Sequence, residues 1–126
     1  MSFMNRMANS KNQFQGDAKR VLCVCSAGLL RSPTTAVVLA KEFGHNTRAA
    51  GMSKEFALIP VDEVLIHWAD EIVFMERSHL TEAIERWHDH LKEKQITVLE
   101  IPDSFSYMDT DLQTMILDIY NLRNGG

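Results

Sequence analysis

The sequence predicts an α/β fold built on a parallel sheet, and three observations predict it. Short apolar runs alternate along the chain with longer amphipathic stretches, the pattern of strand–helix–strand units. The first run, Val21-Leu22-Cys23-Val24-Cys25, is apolar without alternation, as a strand covered on both faces must be. A loop of small residues and a Ser-Pro helix start follow it directly, as at the opening of a right-handed crossover.

The elements follow in order. Residues 1–19 are rich in Asn, Gln, Ser and Met and carry no pattern, so they read as a mobile extension, with 20–126 as one domain. After the first strand, Ser26 to Ser32 is a loop. Pro33 to Phe43 is a helix, with Ser32 as N-cap, Pro33 at its first position and Gly44 as its C-terminal stop. His45 to Ala50 is a second strand and Gly51 to Pro60 a loop. Val61 to Ala69 is a helix whose face carries Val61, Val64, Leu65 and Trp68. Glu71 to Met75 is a third strand. Ser78 to Lys94 is a helix with Leu80, Ile84, Trp87 and Leu91 on one stripe. Ile96 to Ile101 is a fourth strand, and Asp109 to Leu122 a last helix opened by a capping box, Thr110-x-x-Gln113. In such folds ligands bind beyond the carboxyl ends of the strands.

Composition narrows the function. The chain has 126 residues, 45% of them hydrophobic and 24% charged, enough for one unstapled core. A net charge of −4 and the lack of any Lys/Arg block argue against nucleic acid and against a charged membrane surface. No apolar run reaches signal-peptide or membrane-spanning length. Cys23 and Cys25 are too poorly placed along one strand to bridge, so both read as thiols of a cytoplasmic protein. The five histidines, His45, His67, His79, His88 and His90, show no metal-ligand spacing. No metal or cofactor is expected, and a monomer is the default.

The segment that carries chemistry is Cys25-Ser26-Ala27-Gly28-Leu29-Leu30-Arg31-Ser32. It leaves a strand and opens a helix, where backbone N–H groups converge and the helix start favours an anion. The loop is short enough to curl around one tetrahedral anion, with Gly28 free to take a positive φ. A helix start and an Arg both favour thiolate, the nucleophilic form of Cys25. Arg31 offers a planar fork that matches two phosphate oxygens. Ser32 can donate its hydroxyl to the thiolate and ease its departure as a leaving group. The competing reading is a buried structural Cys with a solvated Arg. The strand before the motif and the capped helix after it oppose that reading. The transfer also needs an acid, and Asp103, after the fourth strand, emerges on the same edge as Cys25. Asp109 and Asp111 are better read as complements to the last helix's dipole.

These residues resemble the low-molecular-weight protein tyrosine phosphatase family. Cys25, Arg31 and Ser32 match its Cys-x5-Arg-Ser loop. Asp103 matches the Asp of its Asp-Pro-Tyr loop, with Phe105 at the Tyr position, and Ala49-Ala50-Gly51 resembles its Ser-Ala-Gly. The resemblance implies a three-layer α/β/α, flavodoxin-like phosphatase fold with a four-stranded parallel sheet. It also implies metal-free hydrolysis of phosphotyrosine-like monoesters, from a phosphorylated protein or a small aryl phosphate. Cys25 takes the phosphoryl group, residues 25–31 bind it, and Asp103 serves as acid and then base. The chain departs from the family at Gly28, where an Asn usually braces the loop, and at Leu30, where many members carry a second Cys. Ser106 replaces the second tyrosine of the acid loop. Met52 and Phe56 are candidate pocket walls beside Phe105, with ordinary core packing as their competing reading.

Three other classes compete. Val24-Cys25-Ser26-Ala27-Gly28 also looks like the phosphocysteine loop of sugar phosphotransferase IIB subunits, which pass phosphate to partners. An arsenate reductase on the same fold needs more cysteines than Cys23 supplies. A phosphotyrosine-binding module would keep the loop and lose the acid. Arg31 and Asp103 favour hydrolysis over all three.

Overall fold

The computed structural model describes residues 9–10, 18–26, 31–53, 55, 57, 59–102 and 104–123. Its elements are β1 (Asn9–Ser10), β2 (Arg20–Cys25), α1 (Arg31–Phe43), β3 (Asn46–Gly51), α2 (Glu63–Trp68), β4 (Glu71–Phe74), α3 (Arg77–Leu91), β5 (Gln95–Val98) and α4 (Thr110–Arg123). The sheet order is β1-β3-β2-β4-β5. β3, β2, β4 and β5 are mutually parallel, in the register Val24 opposite Ala50 and Phe74, and Phe74 opposite Val98. Two residues of the upstream segment, β1, add an antiparallel edge against Thr47 and Arg48. Ala18 is buried and the carbonyl of Lys19 accepts from the Asn46 N–H at 2.9 Å, so the packed domain reaches upstream of Arg20.

The two faces of β2 divide the core by the two-residue period of a strand. Val21, Cys23 and Cys25 face one cluster with residues of α1 and α4, including Leu39, Leu112, Ile116 and Tyr120. Leu22 and Val24 face the other, with Ile66 of α2 and Ala83, Trp87 and Leu91 of α3. The molecule is therefore a three-layer α/β/α sandwich. Gly44 ends α1 with φ 69°, its N–H donating to the Ala40 carbonyl at 3.2 Å, the left-handed stop that glycine accepts without strain. Among the described residues no helix is long and apolar enough to cross a membrane.

Three helices differ from the sequence pattern, each for a local reason. α2 starts at Glu63 because Asp62 caps it, accepting the Leu65 N–H at 2.9 Å. Val61 is then buried ahead of the helix, Ile66 turns inward, and Val64 is left 72% exposed. In α3 the buried stripe is His79, Ala83, Trp87 and Leu91, with Leu80 only packed beside it and Ile84 exposed. Trp87 leaves helical geometry at φ −139°, ψ 38°, which shifts the phase of the helix on either side of it. In α4 the cap is Asp109, whose Oδ1 accepts the N–H groups of Asp111 and Leu112 at 2.8 and 3.2 Å. The Gln113 side chain donates instead to the Met108 carbonyl, so the Thr110–Gln113 box does not form.

Candidate active site

β2 is the first parallel strand, and the chain later builds β3 on one side of it and β4 on the other. Such a reversal opens a crevice at the carboxyl ends of the strands. Cys25, the last residue of β2, stands at that place. The ladder runs on beyond the strand ends. The Met52 N–H donates to the Cys25 carbonyl and the Ser53 N–H to the Ser26 carbonyl, both at 2.9 Å. The chain is thus held rigidly as it enters the loop.

Cys25 Sγ lies 3.1 Å from Ser32 Oγ, and Ser32 Oγ donates to the Ala50 carbonyl at 3.3 Å. Ser32 sits in the first turn of α1, not at its N-cap, because the helix already begins at Arg31. Its hydroxyl has one proton and two acceptors. A neutral thiol donates to Oγ and leaves that proton on Ala50. A thiolate draws the proton to itself. Ser32 therefore serves both states of Cys25 by a single rotation about its Cβ–Oγ bond.

Arg31 is only 1% exposed, so its charge must be met within the protein. Nη1 donates to Glu76 Oε2 at 2.6 Å and to the Ile101 carbonyl at 2.7 Å. Both Nη1 protons are thereby committed, which fixes the guanidinium plane and with it the Nε–Nη2 edge. That edge is the fork that matches two phosphate oxygens. The Arg31 carbonyl accepts from Thr35 Oγ1 at 2.8 Å, anchoring the residue's backbone as well.

Two residues complete this edge that the sequence did not single out for it. Glu76 follows β4 and stands at the N-cap position of α3, yet its side chain makes no cap bond and goes to Arg31. His79, 6% exposed, places Nε2 3.0 Å from Ser26 Oγ. The available signal was position: Glu76-x-x-His79 follows the third predicted strand directly, on the carboxyl edge that holds Cys25. Among the described residues, no group of three His, Cys, Asp or Glu side chains could hold a metal ion.

Of the other expected site residues, Met52 is 4% exposed in the core. It also lines an open cleft of 520 Å³ with Ser26, Ser53, His79, Glu82 and Arg86. Phe105 packs half-buried on the apolar cluster beneath α1 and α4. Ala27, Gly28, Leu29, Leu30, Phe56 and Asp103 lie outside the described residues. The segment carrying Asp103 is flanked by two non-glycine residues in left-handed conformation, Glu100 at φ 58° and Met108 at φ 59°. Each costs about 1 kcal/mol or more and is held by its surroundings. Arg77 and Arg123 lie 3.5 and 3.6 Å from the Glu100 carboxylate, and Thr34 Oγ1 accepts the Met108 N–H at 2.8 Å.

The two cysteines have different environments. Cys23 is fully enclosed, and burial above all, then the charges of Glu71 and Cys25, pushes its thiol well above the ordinary range. It is held as an inert neutral thiol. Cys25 alone of the pair stands at the strand end beside a hydroxyl and a helix start.

No protein-family model matches the chain, and no curated protein sequence does. Solved structures do. The YwlE arginine phosphatase from Geobacillus stearothermophilus superposes with a TM-score of 0.63 at 19% identity, covering 85% of this chain and 94% of its own. The tyrosine phosphatase Wzb from Escherichia coli K30, in complex with phosphate, gives 0.64 at 15% identity, covering 83% and 95%. A Cys-to-Ser mutant of YwlE with a phosphorylated active-site serine gives 0.58 at 18% identity, covering 82% and 90%. The chain shares their fold over nearly their whole length.

Proposed function

We propose that the chain is a cysteine-dependent phosphatase that hydrolyses phosphotyrosine-like monoesters through a cysteinyl-phosphate intermediate. One observation carries the reading: Cys25 Sγ, at the carboxyl end of the first parallel strand, lies 3.1 Å from the Ser32 hydroxyl in the first turn of the next helix. A structural cysteine needs no such partner. A nucleophile that must also leave does. The shared fold with tyrosine and arginine phosphatases supports the same reading, as does the phosphorylated serine of the YwlE mutant.

In the first step the Cys25 thiolate attacks phosphorus in line. The S–P bond forms as the P–O bond to the aryl group breaks, and Asp103 gives its proton to the departing phenolate oxygen. The Arg31 fork and the backbone N–H groups of residues 26–31 hold the equatorial oxygens, whose charge they stabilise through the transition state. In the second step Asp103 takes a proton from water, the new O–P bond forms and the S–P bond breaks. Ser32 then donates to the returning thiolate. Asp103 takes this role as the carboxylate that follows the fourth predicted strand in sequence, and Phe105 two residues on supplies an aromatic wall. Substrates are a phosphorylated protein or a small aryl phosphate. The protein works as a monomer in the reducing cytoplasm, where Cys25 stays a thiol.

The test is hydrolysis of an aryl phosphate at mildly acidic pH, with Cys25→Ser and Asp103→Asn alongside and phosphoarginine as a second substrate. The reading requires turnover that vanishes in Cys25→Ser and drops strongly in Asp103→Asn. Preference for phosphoarginine would keep the mechanism and change the substrate. No turnover, with Cys25 phosphorylated only by a donor protein, would make the chain a phosphocarrier.

A further inference from the structure

Glu76, at the N-cap of α3, and His79, in its first turn, reach both ends of the phosphate loop. Glu76 Oε2 meets Arg31 Nη1 at 2.6 Å, where the loop ends. His79 Nε2 meets Ser26 Oγ at 3.0 Å, where the loop begins. The same Glu76 Oε2 is 3.9 Å from the same His79 Nε2. One carboxylate oxygen thus stands between a permanent cation and a titratable ring. The ring is 6% exposed and therefore unable to turn away.

We propose that His79 is a positioning residue that links its own protonation to anion binding at Arg31. The inference rests on the phosphatase reading, because it needs a phosphate-like dianion in the loop. With His79 neutral, Glu76 offsets much of the Arg31 charge that a dianion needs. With His79 protonated, the imidazolium offsets Glu76, and Arg31 presents its charge undiminished. Its Nε2–H also then donates to Ser26 Oγ, fixing the first loop residue. Linkage is reciprocal: a dianion in the loop must favour the imidazolium by the factor by which the imidazolium favours the dianion.

Other charged groups share the cleft with His79. Glu82 and Arg86 of the same helix line the cleft with it, but they pair with each other at 3.0 Å. Arg86 also donates to the Met52 carbonyl at 3.2 Å. Glu55, from the loop after β3, also lines the cleft. Glu76 joins the ring to Arg31 through one carboxylate oxygen.

The experiment is an NMR titration of the histidine ring protons with and without sulfate, whose own charge is constant across the range. The His79→Gln variant assigns the resonance. It also keeps an Nε2 donor that cannot be protonated. Sulfate is expected to raise the His79 midpoint by about half a pH unit or more, a threefold change in proton affinity. In wild type, sulfate inhibition of aryl phosphate hydrolysis should strengthen by at least that factor as pH falls through this midpoint. In His79→Gln the strengthening should be absent. Sulfate that binds and inhibits without moving the midpoint, with the same pH profile in His79→Gln, would overturn the linkage and leave the phosphatase standing. Sulfate that neither binds nor inhibits would overturn both.

Discussion

Glu71 opens β4 and Glu76 follows its end, and the fold treats the two carboxylates in opposite ways. Glu71 is fully buried and surrounded by partners: Thr97 Oγ1 at 2.6 Å, Tyr120 Oη at 2.7 Å and Lys19 Nζ at 2.9 Å. Tyr120 also lies 3.3 Å from His45 Nε2. The Glu76 side chain is 40% exposed and shares one oxygen between Arg31 and His79. A buried charge enclosed by partners from β5, α4 and the start of β2 acts as a pin across the layers. An open charge between a cation and a titratable ring can change the balance of its bonds at little cost. The amino edge of the sheet is thus locked, and the carboxyl edge is adjustable.

The largest expected effect is at the adjustable edge. Arg31→Lys should lower kcat/KM by about 100-fold or more, since a point charge cannot grip two oxygens as the fork does. Steady-state kinetics on a variant with native circular dichroism decides it. At the locked edge, Glu71→Gln should cost about 2–4 kcal/mol of stability, because it strips a buried ion pair of its charge. Its KM should stay unchanged, with urea unfolding as the check. Glu76→Gln sharpens the contrast. Its stability loss should stay within about 1 kcal/mol, as for half-exposed pairs, while the strengthening of sulfate inhibition at low pH disappears with the carboxylate charge. Equal stability losses in the two Gln variants would break the comparison.

The locked edge also sets a pH response. Burial, and then the Lys19 charge, hold the His45 ring below its ordinary 6.5, against an opposing pull from Glu71. The unfolded chain therefore binds the His45 proton more readily than the folded one. Stability from this group is complete above 6.5 and declines as the pH falls from there toward the folded value. Melting temperature against pH should show this slope in wild type and a flatter one in His45→Gln. Asp70 acts in a separate, lower window. Burial raises its carboxyl, but hydrogen bonds from the Arg20 backbone and side chain outweigh it and leave it below 3.8, so its contribution disappears only as pH drops beneath that. The smallest effect is expected at Cys23. Cys23→Ala should cost about 1 kcal/mol and leave activity intact, with iodoacetamide labelling confined to Cys25.

What the residues alone revealed, and what they hid, follows from distance along the chain. The unbroken apolar run Val21–Cys25 announced a strand buried on both faces, and its odd and even residues do enter separate clusters. Gly44 announced the end of α1. Cys25, Arg31 and Ser32 were legible as a site because one short loop carries them, so spacing and chemistry can be read together. The helix faces were less legible. Val64 and Ile84 fit an apolar stripe but are exposed. The start of α2 and the break at Trp87 set the phase of each helix, and packing decides both.

By itself, then, the sequence determined the alternating α/β order, the two-sided central strand and the candidate nucleophile with its candidate clamp. Tertiary structure alone decided how that clamp is held. The partners of Arg31 lie 45 and 70 residues away, and that of Ser26 lies 53 away. Parallel strands joined by crossovers bring such distant residues to one edge. No local pattern encodes that meeting, because hydrogen-bond partners across strands are chosen by register, and register exists only once the sheet has formed.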